Sequence, residues 1–322
     1  LIQADGSQEW FLEGKRHRTN GPAVIKSDGT REWYMNGKKH RLNKPAYISP
    51  TGLKIWYKEG VIHNDEGPAY IDTDSKEWFK NGVLHRDDGP AILNKDGSIA
   101  WYKNGNLHRE DGPADIHKDG TLSWYLRGTR HRDNGPALIM SNGIIAWYLN
   151  GMKHREDGPA VVYPNGTFEW YKNDLIHRDN GPAVVMEDGT KIWYKNNLIH
   201  REDGPAIEYS NGIHAWYFNG MKHREDGPAI VFPNGNKKWY KQDKLHREDG
   251  PAVIGTYNDW YINGIYVEYI QNTNNKDCTI CLEEINGESL MTTCKHYFHK
   301  QCFVVLSDNK HYKCPNCRYE FI

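Results

Sequence analysis

The chain has 322 residues, a formal net charge of −1 and a mean hydropathy of −0.84. That length leaves room for about two domains, and no apolar run approaches the roughly 18 residues of a membrane helix, so the chain is expected to be soluble. The balanced charge excludes a broad electrostatic grip on nucleic acid and gives no support to an anionic membrane surface as partner.

The chain opens LIQADGSQEW, without methionine and inside a repeat unit, which reads as the start of a fragment. From there to Gly264 one unit is written many times. His17, His40, His63, His85, His108, His131, His154, His177, His200, His223 and His246 stand 23 apart, with one step of 22. All but His63 are followed by arginine, Pro-Ala pairs follow in phase, and all twelve tryptophans share the register. Within GPAVIKSDGTREWYMNGKKHR, Asp28-Gly29 and Asn36-Gly37 are tight-turn dipeptides, flanked by β-branched and aromatic residues. No window has a helical apolar period. Each unit is therefore expected to be an antiparallel hairpin with a short His-Arg connector. About 11 of them would stack on one another, because a lone hairpin cannot bury its aromatics. Tryptophan would line one face, and the adjacent Tyr or Phe the other.

These landmarks, Trp-Tyr, Asn-Gly and Gly-Pro-Ala on a 23-residue period, resemble the variant form of the MORN-repeat family over about Asp5 to Gly264. That resemblance implies an extended hairpin array used for binding or assembly, with no catalysis.

The connector HREDGPA invites a catalytic reading, since His85-Arg86-Asp87 and its equivalents spell the His-Arg-Asp of a kinase loop. The glycine-rich loop, paired lysine and Asp-Phe-Gly that a kinase also needs are absent from the sequence. A metal-binding histidine row fails on spacing, because successive units stand about 10 Å apart. The expected role is structural: histidine, arginine and the nearby acid tie the connector down. Any partner would dock on positions that vary between units, such as those just before each histidine. Self-association through an exposed end of the array is the second expected use.

After Gly264 the pattern dissolves, and the polar 271–275 run reads as linker. All six cysteines then fall between Cys278 and Cys317. Confinement in pairs to one short segment points to metal in a reducing compartment rather than to disulfides; Asn165-Gly166-Thr167 is accordingly read as a turn and not a glycan site. With His296 and His299, the cysteines provide eight candidate ligands, the number that two closed tetrahedral zinc sites require. His311 is left over as a loop residue.

The order C-x2-C, x12, C-x-H-x2-H-x2-C, x11, C-x2-C closely resembles the RING-H2 finger family. The resemblance implies a cross-braced module with two structural zinc ions. Cys278, Cys281, His299 and Cys302 would form one site, and Cys294, His296, Cys314 and Cys317 the other. It also implies an E3 ubiquitin ligase that orients a ubiquitin-charged conjugating enzyme (E2) and contributes no nucleophile. Ile280 and Pro315 match the family's apolar E2 groove, Phe298 its core aromatic, and Arg318 the basic residue that bridges E2 and ubiquitin. Leu306 stands where many relatives have tryptophan.

The expected organisation is a mostly β chain: repeat array 1–264, linker 265–276 and finger 277–322, with an unknown protein substrate on the array. The alternative is a non-catalytic scaffold whose finger serves only binding or dimerisation. Ubiquitin chemistry implies the cytoplasm of a eukaryotic or virus-infected cell, and long arrays joined to such a finger look most like proteins of large DNA viruses.

Overall fold

A computed structural model describes residues 1–321. The chain is built almost entirely of short antiparallel strands and divides into two compact units, 1–164 and 165–322. The division falls inside the array rather than at its junction with the cysteine-rich tail.

The repeat from Trp101 to Ser123 shows how each unit is made. Tyr102–Lys103 and Asn106–Leu107 form a two-residue hairpin. Its turn residues Asn104 and Gly105 sit at φ 51° and 80°, the double left-handed backbone of a type I′ turn that asparagine and glycine tolerate. Asp115–Ile116 and Leu122–Ser123 form a second hairpin, whose turn is held by the Asp119 carboxylate accepting the Thr121 N–H at 2.8 Å. The 23-residue unit thus holds two hairpins where periodicity suggested one. The second kind joins the next unit, as in Leu122↔Ile139 and Ser123↔Leu138, and makes a continuous meander within each compact unit. The first kind stays an isolated strand pair. Trp101 links the two, its N–H donating to the Ala114 carbonyl at 2.7 Å and its own carbonyl accepting from the His108 N–H at 3.0 Å.

Every letter of the connector acquires a task. The Arg109 guanidinium lies over the Trp101 ring, 4.1 Å from its centre, while its Nε donates to Asp111 at 2.8 Å and a terminal nitrogen to the Pro113 carbonyl. A Cβ on Gly112 would come within 2.9 Å of that guanidinium, so glycine leaves it room. Ala114 is fully buried. The tryptophans are thus covered by arginines, at 3.7 to 4.2 Å in every repeat where the pair is seen.

The histidines bridge repeats. Nδ1 of His85 accepts the backbone N–H of Asn104 in the next turn at 3.0 Å, and the same bond recurs at 3.0 to 3.3 Å along both units. With Nδ1 accepting, the proton belongs on Nε2, which donates to the acid two residues on, as from His85 to Asp87 at 3.0 Å. Where that second bond forms, as at His63, His85, His131, His177 and His200, both ring nitrogens are committed, which leaves neither for a metal or for acid–base work.

At His246 protonation opposes this arrangement. Burial, and then nearby Lys241, hold His246 below the ordinary imidazole value against the pull of Glu248 and Asp308. Below about pH 6.5 the unfolded chain takes up a proton that folded His246 resists, so its contribution to stability is present above that pH and lost as pH falls through it. Denaturant titrations at about pH 7.5 and 5.5 should show a larger acid loss in the parent than in His246→Gln. An equal loss would remove His246 as the cause.

Beyond the array, β1 (Trp260–Ile262) and the first part of β2 (Ile265–Asp277) form the last Asn-Gly hairpin. The segment 265–276 is not a linker. It is part of a 13-residue strand that pairs with β3 (Glu284–Met291), which in turn pairs with β4 (Tyr297–Phe298). Alternating Ile, Tyr and Val start the strand. The polar run is carried on because β3 supplies its backbone partners, with register shifts between Ile270 and Lys276. Thr273 is buried there against the Ser289 hydroxyl. The one helix among the described residues, α1 (Lys300–Asp308), packs on this sheet.

Candidate metal centre

The eight candidate ligands are placed by three turns and the start of α1. Cys278 closes β2 and is fully buried, with the Leu282 N–H donating to its carbonyl at 2.8 Å. Cys294 and His296 lie on the turn between β3 and β4, His299 precedes α1, and Cys302 sits in its first turn. Cys314 and Cys317 occupy a matching turn in which the Arg318 N–H donates to the Cys314 carbonyl at 2.8 Å.

These residues converge into two groups. Donor atoms of Cys278, Cys281, His299 and Cys302 all lie within 4.8 Å of one another, as do those of Cys294, His296, Cys314 and Cys317. The first group draws on ligand pairs one and three, the second on pairs two and four, so the two interleave along the chain. Nδ1 of His299 stands 3.4 Å from the Cys281 sulfur, and Nδ1 of His296 stands 3.3 and 3.5 Å from those of Cys294 and Cys317. Tetrahedral zinc with bonds near 2.3 Å to sulfur and 2.0–2.1 Å to nitrogen sets that edge at about 3.6 Å. The donor sets fit.

Their acidity agrees. Burial works against the Cys278 thiolate, but the N–H groups of Cys281, His299 and Ile280 bring it down to about 7. Burial and the crowding sulfur of Cys278 push Cys302 up to about 12, and burial pushes Cys314 up to about 11. Sulfurs this close cannot all ionise alone; a shared divalent cation removes the repulsion. Residues 276–318 match the family model described as Ring finger domain.

The C-terminal segment is a RING-type zinc finger. Its two four-ligand clusters are the two zinc sites of such a domain. No relative matches among curated proteins.

The RING finger's core is small. Leu290, Phe298, Phe303, Val304, Cys314 and Phe321 are buried together, and Phe298 packs edge-on against Phe303 at 5.1 Å. Ile262, Ile265 and Val267 of the last hairpin belong to the same cluster. On the surface, Ile280, Pro315 and Arg318 are exposed, while Leu306 is half-buried against the core. His311 lies in neither cluster.

Three residues escaped the sequence reading. The hydroxyl of fully buried Thr292 lies 3.1 Å from the Cys294 sulfur; its place two residues before a ligand was the available signal. Leu282, just after Cys281, is 77% exposed at φ 61°, a conformation bulky side chains seldom adopt. Asn263 holds α1, as described below, and only its phase in the repeat distinguished it.

Proposed function

We propose that the chain is a RING-type E3 ubiquitin ligase. In this reading the finger grips a ubiquitin-charged E2, and the array, which we assign to the MORN variant group, is a substrate-docking or assembly scaffold in the cytoplasm. The observation that carries the reading is the pair of interleaved zinc sites in a segment matching the Ring finger domain, with the matched contact residues Ile280 and Pro315 at the surface. Exposed Leu282, next to Cys281, and half-buried Leu306 would add to that apolar face. Arg318 would bond E2 and ubiquitin together, since a guanidinium can serve two acceptors at once. The finger supplies orientation: it holds the thioester where a lysine amine can attack.

Self-ubiquitination with a broad E2 panel tests this. Transfer is expected with at least one E2. Ile280→Ala should lower its rate tenfold or more, as loss of a central apolar anchor does, and Arg318→Ala should lower the rate while leaving E2 binding nearly intact. A panel without any transfer would favour the scaffold reading, in which the finger only binds.

A further inference from the structure

The junction between the last repeat and the RING finger is built as a joint. Asn263 opens the turn of the final Asn-Gly hairpin, and its N–H donates to Nδ1 of His246, as Asn219 N–H does to His200 and Gln242 N–H to His223. Its side chain does something the others do not. Nδ2 donates both protons into α1, to Ser307 Oγ at 2.9 Å and to Asp308 Oδ1 at 2.8 Å. Ser307 is free to accept because its own proton goes to the Val304 carbonyl at 2.9 Å. Nearby, Lys244 of the preceding hairpin donates to the Tyr312 hydroxyl at 2.7 Å. Beneath these bonds Ile262, Ile265 and Val267 share one core with Phe298 and Phe303.

A module tethered by a loop would share neither core nor strand with its neighbour. Here β2 leaves the last repeat and enters the finger without a break. We propose that Asn263 is a positioning residue that locks α1 of the finger to the terminal repeat, making repeats 165–264 a fixed arm for the finger rather than a flexible tether. This rests on the ligase reading for its consequence: ubiquitin transfer would fall on lysines at set places, because a fixed arm samples few geometries.

The test uses the full chain in three forms. In Asn263→Asp a carboxylate faces Asp308, and aspartate tolerates the left-handed turn position, so the change acts on the joint and not on the hairpin. In the double variant Asn263→Asp with Asp308→Asn the bond is re-formed with donor and acceptor exchanged. Hydrogen exchange of the amides in 307–312 should quicken roughly fivefold or more in the single variant and return to within about twofold of the parent in the double. Zinc should stay at two per chain throughout. Peptide mapping of self-ubiquitination should give the same few lysines in parent and double variant, and a wider set in the single. Unchanged exchange in Asn263→Asp, or a double variant that fails to restore it, overturns the lock. Equal lysine sets in all three overturn the positioning role. If no form transfers ubiquitin, the ligase reading fails, while the exchange data still decide the joint.

Discussion

Replacing Cys302 with alanine should cost the finger its fold and not merely one ion. Structural zinc contributes about 10–16 kcal/mol in small fingers, far more than a core of this size supplies alone. Because the ligand sets alternate along the chain, site one pins Cys278 and Cys281 across to His299 and Cys302, and between those pairs runs the turn that carries Cys294 and His296. Releasing the first site frees that turn and weakens the second. Native mass spectrometry should show the zinc count dropping below one per chain. The near-ultraviolet signal of Phe298, Phe303 and Phe321, now packed edge to face, should collapse with it, and any ubiquitin transfer should vanish. Exchange should rise in 260–267, which shares the core, and stay unchanged in the repeat from Trp101 to Ser123. His311→Ala is the control and should change none of these. A Cys302→Ala chain that kept one zinc and a rigid core would mean that the two sites are independent.

The finger was legible because metal chemistry writes itself into spacing. Cysteines in paired gaps have few other uses in a chain with no cysteine elsewhere. The repeat was legible for a similar reason: His, Trp and Pro-Ala each occupy a position that only one residue type satisfies. What was hidden depended on partners distant in sequence. The run at 271–275 is polar and reads as linker, yet β3 pairs with it and buries Thr273. Composition reports what a segment can bury by itself, not what a neighbour will cover. The second hairpin in each repeat was hidden by brevity, since two-residue strands are too short to show alternation. Asn263 carried no signal beyond its phase in the repeat, because the same position in other repeats makes a turn and meets the preceding histidine.

The Trp101, Arg109 and Gly112 cluster yields the sharpest prediction for the array. Trp101→Ala removes a half-buried indole, the surface on which Arg109 lies, and should destabilise the local repeat by about 3 kcal/mol. Arg109→Ala loses the stacked cation and the bond to the Pro113 carbonyl, about 1–2 kcal/mol. The double variant should cost less than the sum by about 1 kcal/mol, the worth of the stacking itself. Gly112→Ala separates crowding from backbone effects. Its backbone is not left-handed, so the only obstacle is the guanidinium 2.9 Å from the new Cβ. The end of an arginine could ordinarily swing aside, but this one is held by the ring, by Asp111 and by Pro113. Gly112→Ala should therefore destabilise by about 1 kcal/mol in the parent and become neutral or slightly stabilising in an Arg109→Ala background, where the lower entropy of the unfolded chain is all that remains. Stability in a repeat array is a sum of local terms, so the readout is exchange of amides in 101–123, not a global melting point. If Gly112→Ala costs the same in both backgrounds, the arginine is not what requires glycine before Pro113-Ala114.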